Sequence, residues 1–136
     1  MKIKVATIIQ DFVFLQENDH HIPPKTLRLK IEQGEIIVIK IEGQTAGWLR
    51  YGYFWDLIPM MNMLSIEECY QRKGFGTKLI AFWESKMKER GYNQVMTSTL
   101  SNEQAQHFYR KLGYKDVGAL LLPDEALEIL FIKTLS

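Results

Sequence analysis

Two glycines separated by one residue, with basic side chains around them, are the part of this sequence best suited to chemistry. The run reads Glu67-Glu68-Cys69-Tyr70-Gln71-Arg72-Lys73-Gly74-Phe75-Gly76. It links an apolar stretch ending near Ile66 to a helical pattern starting near Gly76. Gly74 and Gly76 let the backbone turn tightly and approach a ligand without a Cβ in the way. The first turn of the following helix offers unpaired N–H groups and the positive end of its dipole. Arg72, Lys73 and Lys78 add positive charge. Together these are the physics of a diphosphate cradle. On the glycines alone, a turn that uses them only for geometry is an equal reading. A dinucleotide-binding turn fits less well, because Leu79 stands where the third glycine of G-x-G-x-x-G belongs. No Walker-type loop is present.

Three further groups invite a chemical reading. Tyr109 is a phenol on a helical stripe; by spacing alone it is a core aromatic before it is an acid. The segment Arg50-Tyr51-Gly52-Tyr53-Phe54-Trp55-Asp56 is dense in aromatics and carries one charge of each sign. Arg50, Tyr51, Trp55 and Asp56 suit either an acceptor bearing an acidic group or a face packed on the core or a second subunit. His20, His21, His107 and Cys69 show no metal-ligand spacing, so no metal is expected. Cys69 is expected to be structural rather than nucleophilic.

These groups need elements to hold them. Lys2 to Ile9 alternates in part and predicts a first strand. Asp11 to Leu29 is hard to read: apolar residues fall at helical spacing until His20-His21-Ile22-Pro23-Pro24 breaks the pattern. A helix over Pro24 to Gln33 should stop at Gly34. Ile36 to Ile41 is β-branched and predicts a strand, Glu42-Gly43 a tight turn, and Thr45 to Tyr53 the returning partner. Met60 to Ile66, mostly apolar, predicts a strand buried on both faces. Phe75, Leu79, Trp83 and Met87 recur every fourth residue and mark a helix that Gly91 ends. Gln94 to Leu100 is a further strand. Ala105, Phe108, Tyr109 and Leu112 form a short helix closed by Gly113. Strands near Gly118 to Leu122 and Leu127 to Lys133 close the order as a hairpin. This predicts an α/β sandwich of the mixed α+β kind around a mostly antiparallel sheet with one parallel crossover.

Composition narrows the function. The 136 residues suit one compact domain, 1–136, without repeats or long linkers. A chain of this length buries roughly 68% of its unfolded surface, enough for a core without staples. The 46% hydrophobic and 24% charged content is that of an ordinary globular protein. A formal net charge of +1 argues against a broad nucleic-acid or membrane footprint, though not against a local phosphate site. With Cys69 alone there is no intrachain disulfide. The start lacks the apolar run of a leader, and no stretch reaches the ~20 apolar residues that span a bilayer. A cytoplasmic protein is expected.

Gln71-x-x-Gly74-x-Gly76 resembles the coenzyme A signature of the GCN5-related N-acetyltransferases. Upstream, Leu64-Ser65-Ile66 resembles the family's fourth strand. Downstream, Asn102, Ala105, Phe108-Tyr109 and Leu112-Gly113-Tyr114 resemble its second motif. The likeness covers roughly Ile36 to Lys133. It implies a sheet of six to seven strands with about four helices, in which the parallel fourth and fifth strands splay to admit acyl-CoA. It implies that backbone around Leu64 and Ile66 pairs with the pantetheine arm. The pyrophosphate falls to the run Gln71, Arg72, Lys73, Gly74, Phe75, Gly76 and Thr77. Asn102 would hydrogen-bond the pantetheine, and Phe108 would pack on it. Tyr109 would protonate the departing thiolate, and acetyl-CoA would be the cosubstrate. The partner would be a small-molecule or peptide amine, and a homodimer is a possible assembly. Some members carry a glutamate early on the fourth strand as base; here that region reads Pro59-Met60-Met61-Asn62-Met63, without a carboxylate. Asp56, Glu67 and Glu68 are the nearest in sequence. A binding module of the same fold and an aromatic docking patch are the rival readings.

Overall fold

The computed structural model describes all residues, 1–136. The elements run β1 (Lys2–Val5), α1 (Ile8–Asn18), α2 (Pro24–Glu32), β2 (Ile36–Ile41), β3 (Gln44–Phe54) and β4 (Ile58–Ile66). A short 3-10 turn (Glu68–Tyr70) follows, then α3 (Phe75–Glu89), β5 (Gln94–Leu100), α4 (Ala105–Lys111), β6 (Lys115–Leu120) and β7 (Glu128–Thr134). The seven strands hydrogen-bond in the order β1-β2-β3-β4-β5-β7-β6. The β1–β2, β2–β3, β5–β7 and β6–β7 ladders are antiparallel, and β4–β5 is parallel. The expected mixed sheet with one parallel crossover is therefore present. By its contacts the chain divides into two compact units, one of Met1–Tyr51 with Met63–Trp83, the other of Gly52–Asn62 with Glu84–Ser136. The divisions fall inside β3, β4 and α3.

In the first unit, the strand expected over Lys2 to Ile9 stops at Val5. Thr7 caps a helix instead, its hydroxyl accepting from the Gln10 N–H at 3.2 Å. α1 lays Leu15 into a core with Ala6, Leu27, Ile31, Ile36, Val38 and Trp48. Asp11, on the same helix, is buried but fully engaged. It accepts from the Thr7 N–H (2.9 Å), Lys4 (3.0 Å) and Lys40 (2.7 Å). α2 begins with Pro24 at its first position, where the missing N–H costs nothing. Gly34, with φ of 75°, follows its end. Further along, Gly47 on β3 has no room for a side chain. A Cβ there would lie 2.6 Å from the Ser65 carbonyl oxygen and 2.6 Å from Ile66 Cδ1.

The second unit starts at the end of β3. Trp55 and Asp56 both take positive φ (55° and 58°), as a two-residue hairpin turn of the primed kind requires, and lead into β4. Pro59 and Met61 of β4 are buried, but Asn62 is exposed and Met63 to Ile66 are half-buried, so the strand is not buried on both faces as expected. Its parallel ladder with β5 has the register Met60↔Met96 and Met61↔Thr97. The half-exposed residues follow that ladder. β5 pairs with β7 along its whole length, from Gln94↔Thr134 to Leu100↔Glu128. The closing hairpin is shifted from its expected bounds: β6 begins at Lys115 and ends at Leu120, with all six residues exposed.

Candidate functional site

Within the first unit, the segment after β4 is held by its own backbone and one side chain. The Gln71 amide donates to the Ile66 carbonyl at 2.9 Å, tying the loop back to the strand end. Cys69 is exposed on the 3-10 turn just before it. Arg72 and Gly74 both take positive φ, 62° and 83°. For Arg72 this is an uncommon conformation that marks a tightly specified loop. Open space surrounds the position a Cβ would take on Gly74. α3 starts at Phe75, and its first backbone bond runs from the Lys78 N–H to the Gly74 carbonyl at 3.1 Å. The N–H groups of Phe75, Gly76 and Thr77 therefore precede the helix ladder. Arg72, Lys73, Thr77 and Lys78 are exposed, while Phe75 is half-buried with its ring 6.4 Å from that of Tyr70. An open glycine, free N–H groups and exposed cations at a helix start fit a diphosphate. The apolar stripe of α3 is interior: Leu79, Trp83 and Met87 are all fully buried.

Within the second unit, α4 presents Tyr109. The helix is short and is braced by Gln106, whose amide donates to the carbonyls of Ser101 and Glu103, both at 2.8 Å. Gly113, with φ of 96°, ends the helix, and the Tyr114 N–H returns to the Tyr109 carbonyl at 3.1 Å. Tyr109 is 7% exposed and lies against the rings of Phe108, Tyr114 and Phe131 at 5.5, 5.9 and 6.1 Å. Burial pushes its phenol up to about 12; the nearby Thr97 hydroxyl lowers it and the Glu103 charge raises it further. The group is thus a phenol, not a phenolate, across the physiological range. Asn102 is exposed ahead of α4, and Phe108 is half-buried. Tyr114 donates to Glu84 at 2.7 Å, and Lys133 holds the other Glu84 oxygen at 2.9 Å.

The four residues expected to meet the acceptor differ in setting. Arg50 is buried, its guanidinium bonded to Asp19 at 2.9 and 3.3 Å, so its charge is already matched inside the first unit. Tyr51 is fully buried, its ring 5.8 Å from that of Trp83. Trp55 is 74% exposed on its turn, and Asp56 beside it is exposed as well. Leu64 and Ile66 lie on the half-exposed end of β4. Two polar partnerships escaped the sequence: Asp19 neutralises Arg50, and the Thr97 hydroxyl donates to the Met61 carbonyl at 3.1 Å. The signal for Thr97 was present in the alternation of β5, which puts Thr97 and Thr99 on the buried face with Val95. Buried hydroxyls on an apolar face call for partners.

A family model described as the acetyltransferase (GNAT) domain matches residues 32–116, and the chain belongs to that family. The family is one of transferases that use acyl-CoA as cosubstrate. Among individual proteins, the chain is 24% identical over 91 residues to an uncharacterized N-acetyltransferase, CT2212, of Chlorobaculum tepidum. That match covers 67% of this chain and 56% of the relative, so the chain spans little more than half the relative's length. Its fold is that of Ard1 from Thermoplasma volcanium, with a TM-score of 0.82 at 15% identity over 99% and 97% of the two chains. The ribosomal-protein-S18-alanine N-acetyltransferase from Escherichia coli shares it too, with a TM-score of 0.77 at 20% identity over 99% and 94%.

Proposed function

We propose that this chain is an N-acetyltransferase that moves the acetyl group of acetyl-CoA to a primary amine by direct attack, as a single domain. Tyr109 is the observation that carries the reading. Its phenol carries, at neutral pH, the proton that the departing thiolate must gain. The amine nitrogen attacks the thioester carbonyl, the C–S bond breaks, and the phenol proton goes to the departing thiolate. The N–H groups from Arg72 to Thr77 hold the pyrophosphate, with Gly74 and Gly76 leaving room for it. Gln71 belongs to the same run and ties the loop to Ile66. Backbone of Leu64 and Ile66 pairs with the pantetheine arm as an added strand would. Asn102 and Phe108 hold the same arm. Trp55 and Asp56 are the residues proposed to meet the acceptor, a small molecule or a peptide; Arg50 and Tyr51, both interior, are left out. No helix is long and apolar enough to cross a membrane, and a cytoplasmic setting and a homodimer complete the proposal.

One observation favours a second reading, a module that binds acyl-CoA without turnover: β4, Ile58–Ile66, carries no carboxylate to take the amine's proton. In the enzyme reading that proton leaves through water. An amine panel, following free thiol released from acetyl-CoA, separates the two. Thiol release that depends on an amine supports the enzyme. Tight acetyl-CoA binding with no release across polyamines, amino acids, peptides and aminoglycosides supports the module.

A further inference from the structure

Gly113 turns the chain from α4 into β6, and two side-chain ties brace that turn, all within the second unit. The outer tie joins the Arg110 guanidinium to Asp116 at 2.9 and 3.0 Å. The inner tie runs through Glu84 of α3. One of its carboxylate oxygens accepts from the Tyr114 hydroxyl at 2.7 Å, and the other accepts from the Lys133 ammonium at 2.9 Å. The same ammonium stands 5.6 Å from the centre of the Tyr114 ring. Arg110 and Asp116 are 36% and 51% exposed, against 25% and 14% for Lys133 and Glu84, so the inner pair is the less screened of the two. Burial, and then the Glu84 charge, raise the Tyr114 phenol above its ordinary value, so its hydroxyl remains a donor.

Tyr114 in turn closes on Tyr109 twice. Its N–H donates to the Tyr109 carbonyl at 3.1 Å, and its ring meets the Tyr109 ring edge-on at 5.9 Å. Phe131 supplies another ring at 6.1 Å. One residue thus touches both the backbone and the ring of Tyr109, and its own hydroxyl is held from α3. We infer that Glu84 is a positioning residue for the reaction: by holding Tyr114 it fixes the Tyr109 ring in the place from which the phenol gives up its proton. The inference rests on the reading of Tyr109 as the acid. Displacing a reacting group by an ångström can cost roughly 10²-fold in rate. Loss of the Glu84 carboxylate leaves the Tyr114 hydroxyl and the Lys133 ammonium without their shared acceptor, and the Tyr114 ring is then free to tilt. An exposed ion pair contributes little, so Arg110–Asp116 provides a control on the same turn.

The test compares Glu84→Ala, Glu84→Gln, Tyr114→Phe and Asp116→Asn, each alone and combined with Tyr109→Phe. Glu84→Ala and Tyr114→Phe should each lower kcat by about 10-fold, with the KM for acetyl-CoA unchanged. Together they should lower it no further than either alone, since they break one link. Glu84→Gln keeps an acceptor for the Tyr114 hydroxyl and should recover most of the rate. Asp116→Asn should match the parent. In the Tyr109→Phe background none of the four should have a further effect. A merely structural role would reduce activity equally in both backgrounds, and that result overturns the inference. Parent-level kcat in Glu84→Ala and Tyr114→Phe, beside an inactive Tyr109→Phe, overturns it too and leaves the acid role of Tyr109 standing. Full activity of Tyr109→Phe overturns both. If Glu84→Ala fails to fold, Tyr114→Phe keeps the ring and carries the same test. A readout that needs no acceptor uses protein with 13Cζ-labelled tyrosine, the Tyr109 resonance being assigned by its loss in Tyr109→Phe. That resonance should move in Glu84→Ala, return towards the parent in Glu84→Gln and stay in place in Asp116→Asn. Indifference to Glu84→Ala, or an equal move in Asp116→Asn, overturns the inference.

Discussion

Tyr109 and Asp11 are both buried titratable groups, and their surroundings push them in opposite directions. Burial raises the Tyr109 phenol further above its ordinary value, so it is protonated at neutral pH. Tyr109→Phe keeps the ring contacts and removes the proton. It should lower kcat by roughly 10²–10⁴-fold while leaving the acetyl-CoA dissociation constant nearly unchanged, read by thiol release and calorimetry. For Asp11, burial alone would raise the pKa. The bonds from Lys40, the Thr7 N–H and Lys4 outweigh it and hold the carboxyl below its usual value. A depressed carboxyl contributes stability that is present above its unfolded pKa and lost as pH falls through the folded one. Asp11→Asn should therefore cost about 3 kcal/mol at neutral pH, since it leaves Lys4 and Lys40 without their counter-charge. The deficit should shrink toward zero as acid protonates the parent carboxyl, and urea unfolding at neutral and acid pH checks it.

Two glycines carry the predictions that belong to whole elements. Gly47 lets β3 pass beside Ser65 and Ile66 of β4, with 2.6 Å where a methyl would sit. Gly47→Ala must push the Ser65 carbonyl as well as the end of the Ile66 side chain, so a loss of about 1–3 kcal/mol is expected. Acetyl-CoA affinity should fall with it, because the displaced residues adjoin those proposed to pair with the pantetheine. Thermal unfolding and calorimetry on one preparation read both effects. At the start of α3, Gly76→Glu should abolish acetyl-CoA binding with circular dichroism unchanged, by placing a carboxylate where the pyrophosphate is held. Retained binding would show that these N–H groups are not the cradle. The α3 stripe of Leu79, Trp83 and Met87 was legible because burial imposes a period that survives in the residues themselves. The start of α1 was not, because alternation through Lys2 to Ile9 masked the cap at Thr7. Partners far apart in sequence were not legible either. Arg50 and Asp19 are 31 residues apart, Tyr114 and Glu84 are 30 apart, and nothing local announces either bond. Arg50 accordingly suited an acidic acceptor or a packed face equally in the sequence, and its charge is matched within the fold.

At the scale of the whole molecule, the sheet order, the single parallel ladder and the family match agree with what the glycine loop and the α4 motif implied. Acetyl-CoA should bind the native chain and not the unfolded one, so it should stabilise the fold by about 2.7 kcal/mol at 100 times its dissociation constant. Millimolar NAD or ATP should give a smaller thermal shift, since neither carries a pantetheine arm. The absence of any shift with acetyl-CoA would sink the cradle and the enzyme reading together. Cys69 gives this protein a practical property. It is the sole thiol, it is exposed, and it lies two residues before the glutamine that ties the loop to β4. A dye attached there would label one position without further engineering. Its fluorescence would report occupancy of the neighbouring loop in real time, before any acceptor amine is known.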